Sequence, residues 1–165
     1  LVQSKGFSPS FAKWLVGIFE LAAVPGVILL GAISDYFKNS WALVCLASVI
    51  GLVLCLTTYF YGHNHSLIVV DLFIMGSLIY APLTLVGFMV NEVVPKFAVG
   101  SSTGFIGFFQ YIFGETLATA LIGILVAKFG WVASNIVLYS ACGLAALLLI
   151  YIMIHEARIR KALAR

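Results

Sequence analysis

Five apolar runs dominate this chain of 165 residues, at 11–33, 41–61, 66–90, 99–127 and 132–154. Each is long enough to cross a hydrocarbon layer about 30 Å thick at about 1.5 Å per helical residue. In lipid a backbone must satisfy its own N–H and C=O groups, so each run is predicted to be an α-helix. The breaks between them are short: SDYFKNS at 34–40, GHNHS at 62–66, NEVVPKFAVG at 91–100 and a tight KFGW turn at 128–131. None can hold a folded soluble domain. The expected fold class is all-α, a polytopic membrane helix bundle.

Composition closes off the other classes. The chain is 63% hydrophobic and 9% charged, against roughly 25% charged in soluble domains. A soluble domain of this size has too little interior to hide that much apolar surface. The net charge of +3 is small and dispersed, which excludes nucleic acid as a partner. Cys45, Cys55 and Cys142 fall inside apolar runs without close spacing, which reads as buried free thiols rather than disulfides or a zinc site. His63 and His65 lack a third ligand, so no metal is expected. Asn64-His65-Ser66 matches a glycosylation acceptor, and GSSTG at 100–104 lacks the lysine of a phosphate-binding loop. No Ser/His/Asp or Cys/His set shares one membrane depth. The chain reads as neither an enzyme nor a cofactor binder.

Lysine and arginine set the expected orientation. Lys38, Lys96, Arg158, Arg160, Lys161 and Arg165 fall on one side, and Lys5, Lys13 and Lys128 on the other. The C-terminus and the loops at 34–40 and 91–98 are therefore predicted to be cytoplasmic. The opening LVQSKGFSPS reads as an external loop continued from earlier chain, so a preceding helix and an N-terminal bundle are expected to lie outside these residues.

An acid at the centre of a membrane helix costs about 2.5–3.5 kcal/mol, which makes Glu20, Asp71 and Glu115 the informative acids. Asp71 lies near the outer end of its run, where a structural or interfacial role is expected. Glu20 and Glu115 lie deeper and are expected to pair or function. In the fourth run, a helical wheel at 100° per residue gathers Thr103, Gln110, Gly114, Gly107, Gly100, Tyr111, Gly104 and Glu115 into one arc of about 140°. The opposite side carries phenylalanine, isoleucine and leucine. Gly100, Gly104, Gly107 and Gly114 suit a close helix seam, while Gln110, Tyr111 and Glu115 suit a substrate pathway. Pro25, followed by Gly26, and Pro82 each remove a helical hydrogen bond and favour a kink. Tyr80 and Tyr111 bring hydroxyl donors to mid-membrane depth, where each needs a partner.

The stretches FELAAVPG (19–26), GAISDYF (31–37), GSLIYAP (76–82), the VPK loop at 94–96 and GSSTGFIGFFQYIFG (100–114) carry a resemblance. The chain resembles the C-terminal half of major facilitator superfamily transporters, and among them the organophosphate:inorganic phosphate antiporters that carry glycerol 3-phosphate or sugar phosphates. The resemblance implies two helical bundles with substrate bound between them near the midplane, and exchange of an organic phosphate for inorganic phosphate by alternating access. It implies a bacterial inner membrane, the eighth to twelfth helices of the fold, and phosphate-binding arginines on the first and seventh helices, outside this sequence. Glu20 matches an acid on the family's eighth helix, and Tyr80 and Tyr111 match tyrosines around its cavity. Glu115 stands where hexose-phosphate carriers have aspartate and glycerol-phosphate carriers have serine. Thr103 and Ile106 replace a charged pair of the hexose type, and Gln110 replaces a small residue, so neither substrate pattern is matched cleanly. Two alternatives stay open: a sensor of external sugar phosphate with a transporter fold, and a proton-coupled carrier using Glu20 or Glu115.

Overall fold

The computed structural model describes residues 5–37, 41–62 and 64–163. Lys38, His63 and Arg165, which enter the charge count and the histidine pair above, lie outside the described residues. The described residues form α1 (Pro9–Leu21), α2 (Ala23–Tyr36), α3 (Trp41–Tyr61), α4 (His65–Val93), α5 (Val99–Phe109), α6 (Ala118–Phe129) and α7 (Trp131–Leu163). A 3₁₀ turn at Lys96–Ala98 leads into α5, and a π-helix at Gln110–Leu117 joins α5 to α6. They make five helical rods long and apolar enough to cross a membrane: Pro9–Tyr36, Trp41–Tyr61, His65–Asn91, Lys96–Phe129 and Trp131–His155.

Local chemistry explains where the rods start and stop. Ser8 caps α1, its hydroxyl accepting from the Phe11 amide at 3.3 Å, with Pro9 in the first turn. Asn64 caps α4 in the same way, accepting from the Ser66 amide at 3.0 Å. The first rod breaks at Ala22, one turn before Pro25, whose missing N–H leaves the Leu21 carbonyl without its helical donor. Pro82 has a milder effect, since α4 runs through it from His65 to Val93. Gly130 ends α6 at φ 75°, a conformation that favours glycine, and α7 starts at the next residue.

The third rod, α4, is the hub of the bundle: α1, α2, α3 and α5 all pack on it, while α7 packs on α3 and α6. One apolar cluster joins Phe7, Leu15, Leu52, Leu56, Ile68 and Met75. A second joins Val44, Cys45, Val49, Leu85 and Leu149. Large apolar side chains also cover the outside, among them Trp14, Leu29, Leu54, Phe97 and Tyr151. Such a surface suits acyl chains and not water.

Close helix approaches lie where α1 and α2 cross α4. A Cβ on Gly76 would fall onto the Phe19 carbonyl, and a Cβ on Gly26 onto the Ser77 backbone. The Ser77 hydroxyl donates to the Ala22 carbonyl at 2.9 Å across the crossing. The glycines of α5 and the π-helix differ from the expected seam. A Cβ at Gly100, Gly104, Gly107 or Gly114 would meet no atom within 4 Å. Among the described residues this small-residue face is open, because the fourth rod leans on α4 and α7 through other sides.

Gly76→Ala and Gly26→Ala should each destabilise the bundle by about 1–3 kcal/mol, because the added methyl group collides with backbone. Gly17→Ala, where a Cβ would enter open space, should leave the melting temperature unchanged or raise it slightly. Thermal unfolding in detergent micelles reads all three.

Candidate functional site

The glycine crossing sets the register of the polar residues beside it. Glu20 lies in the last turn of α1, two residues before Ala22, and Tyr80 lies one turn beyond Gly76 on α4. With the two backbones this close, the Tyr80 hydroxyl donates a hydrogen bond to the Glu20 carboxylate. The Phe19 ring packs near the Tyr80 ring, with centroids 6.3 Å apart. The Thr84 hydroxyl bonds the Tyr80 carbonyl at 2.9 Å, which satisfies the hydroxyl within its own helix.

The fourth rod lies beside this pair: Gln110 and Gly114 line a groove with Pro82, two residues past Tyr80, and Tyr111 and Glu115 share their segment. All four belong to the π-helix, where backbone bonds span five residues rather than four. The regular wheel used for the sequence therefore fails from Gln110 onward: each wider turn advances by a smaller angle per residue. The Thr116 hydroxyl donates to the Tyr111 carbonyl at 2.9 Å, five residues back.

The remaining candidates go elsewhere. Gln110 and Gly114 line an apolar groove of about 680 Å³ with Pro82, Phe105, Phe109 and Leu149. They share that groove with two of the phenylalanines that the wheel set on the opposite side. Thr103 stands at the entry to the rod, its hydroxyl 2.9 Å from the Val99 carbonyl and 3.2 Å from Asn91 Oδ1 at the end of α4. The structure thus bonds Tyr80 to Glu20, places Tyr111 and Glu115 in the π-helix, and gives Thr103 and Gln110 other neighbours.

Other polar groups inside the spans are tied between neighbouring helices. The Thr58 hydroxyl donates to Asp71 at 2.7 Å, joining α3 to α4, and the Thr57 and Tyr139 hydroxyls meet at 3.1 Å, joining α3 to α7. Lys5 Nζ donates to the Phe60 and Gly62 carbonyls at 3.1 and 2.8 Å, at the end of α3. Lys13, Lys96 and Lys128 also lie near span ends. None of these four lysines is bonded to Glu20 or Tyr80. The sequence signalled the acids and tyrosines by their polarity. It carried no comparable signal for Gly76 and Ser77, which bring them together, or for the π-helix.

The family model described as Major Facilitator Superfamily matches residues 1–164. The chain is 36% identical over 152 residues to the glycerol-3-phosphate transporter of Bacillus subtilis (strain 168), covering 90% of this chain and 34% of the relative. It is 40% identical over 137 residues to the phosphoglycerate transporter protein of Salmonella typhimurium, covering 79% and 28%. To the hexose-6-phosphate:phosphate antiporter of Escherichia coli (strain K12) it is 28% identical over 151 residues, covering 87% and 33%. The chain spans about a third of the length of these curated relatives.

The Tyr80–Glu20 bond should show as a coupling energy of about 1–3 kcal/mol in a double-mutant cycle with Tyr80→Phe and Glu20→Gln, read by thermal unfolding. Strictly additive effects would mean that the two groups do not share a bond. Thr58→Val should destabilise by about 1–3 kcal/mol, since Asp71 loses its donor; Thr58→Ser should not.

Proposed function

The chain belongs to the major facilitator superfamily, and on that premise we propose that it forms part of a secondary transporter exchanging an organic phosphate for inorganic phosphate by alternating access. The carrying observation is the agreement of its relatives. A glycerol-3-phosphate transporter, a phosphoglycerate transporter protein and a hexose-6-phosphate:phosphate antiporter all align over most of this chain. Their shared cargo is a small phosphorylated organic acid, alcohol or sugar.

The chemistry of the site supports this reading. A phosphate dianion at mid-membrane depth needs cationic donors, and arginine offers two in one plane. Glu20 and Tyr80 supply a carboxylate and a hydroxyl, and none of Lys5, Lys13, Lys96 and Lys128 is bonded to them. In the proposed complete protein, arginines from the N-terminal bundle and from a helix preceding residue 1 face Glu20 and Glu115. The acids balance those charges when the site is empty, and substrate phosphate competes for them on binding. Tyr80 and Tyr111 add hydroxyl donors to the cavity wall. The five rods form part of the C-terminal bundle, and the open glycine face at Gly100, Gly104, Gly107 and Gly114 receives a neighbouring helix. The C-terminus lies in the cytoplasm of a bacterium, with the bundle in its inner membrane. The partners are the lipid bilayer, the organic phosphate and inorganic phosphate.

The test uses the complete protein reconstituted in vesicles loaded with labelled inorganic phosphate. External glycerol 3-phosphate, a hexose 6-phosphate or phosphoglycerate should drive label out, and the one that does so names the cargo. Binding of a sugar phosphate without efflux would favour a sensor. Glu115→Gln should lower exchange by at least about tenfold, the scale of one hydrogen bond to a charged group, or change the preferred cargo. Unchanged kinetics and selectivity would make Glu115 structural.

A further inference from the structure

The π-helix at Gln110–Leu117 covers eight residues, whereas most π segments are a single turn inserted in an α-helix and often mark functional sites. A specific side-chain bond accompanies it. The hydroxyls of Ser48, Thr57, Thr84 and Thr103 bond carbonyls four residues back, the usual reach within an α-helix. Thr116 instead bonds the carbonyl of Tyr111, five residues back, at 2.9 Å. In a regular α-helix the hydroxyl at 116 would face the Ile112 carbonyl. The Thr116 bond therefore belongs to the wide turn and is lost when the turn narrows.

That turn holds Tyr111 and Glu115, and its Gln110 and Gly114 line one groove with Pro82, two residues past Tyr80 on α4. Narrowing it to an α-helix would rotate one side against the other by about 100°, the angle of one helical residue. Such a rotation takes a carboxylate out of register with a partner on another helix. We propose that Thr116 is a positioning residue: its hydroxyl, latched on the Tyr111 carbonyl, holds the π turn and so aims Tyr111 and Glu115 at the Tyr80–Glu20 pair. Its effect on affinity for an organic phosphate rests on the transport reading above; the latch itself does not.

The experiment compares Thr116→Val, which keeps the volume and removes the hydroxyl, with Thr116→Ser, which keeps the hydroxyl, in the complete protein. Backbone amide hydrogen exchange over residues 112–117 should accelerate roughly two- to tenfold in T116V, the scale of one hydrogen bond. The melting temperature should barely move, and T116S should match the wild type. In vesicles, T116V should raise KM for the exchanged organic phosphate by a similar factor with a smaller change in maximal rate, and T116S should restore it. Unchanged amide exchange in T116V would overturn the latch. So would equal loss of melting temperature in both variants, which marks simple packing. An opened segment with unaltered KM in a transporting protein would overturn the positioning role. An opened segment in a protein that exchanges no organic phosphate would leave the latch standing and remove the transport reading instead.

Discussion

The close crossing of the first rod over α4 is the constraint on which the rest of the bundle depends. Lipid gives helices no hydrophobic reason to associate, so backbone proximity and interhelical hydrogen bonds must do it. Gly76 and Gly26 remove the side chains that would hold the helices apart, and Ser77 bonds the Ala22 carbonyl across the gap. The break at Ala22 and the proline after it give the first rod two segments that follow the surface of α4. Glu20 and Tyr80 meet because they lie within a turn of that crossing on either side. The packing therefore sets the chemistry, and a shift of one residue in the crossing would separate the acid from its donor.

Glu20 and Asp71, inside the spans, also face a solvation problem of about 2.5–3.5 kcal/mol at a helix centre. The bundle answers it with hydroxyl donors on neighbouring helices: Tyr80 for Glu20 and Thr58 for Asp71. Lys5, Lys13, Lys96 and Lys128 lie near or beyond the span ends, where an ammonium group is cheapest to solvate. This division leaves an interior that is acidic and hydroxylated, with cations around its edges. An interior of that kind suits a cavity whose positive charge is supplied from another part of the protein.

Much of the architecture was legible in the residues. The five rods follow from apolar runs longer than a bilayer core, and the cap at Asn64 and the turn at Gly130 mark ends that polar or conformationally free residues announce. Glu20, Tyr80, Tyr111 and Glu115 stood out because polar groups are costly at that depth. What the residues did not announce was which glycines would be occupied by a neighbour. Gly76 looked no different from Gly104, yet one meets a carbonyl and the other meets nothing, because close approach depends on the partner helix as well as on the glycine. The π-helix was equally silent. It moved Gln110 and Gly114 into a groove with Phe105 and Phe109, since a wheel with a fixed angle assumes the very regularity that this segment lacks.

The turn at Gly130 has a mechanical consequence. With one residue between α6 and α7, the two helices form a stiff hairpin that cannot slide along its own length. The fourth rod and α7, which runs to Leu163 and lies against α3, are therefore tied to one another at that end, and neither can change its tilt without the other.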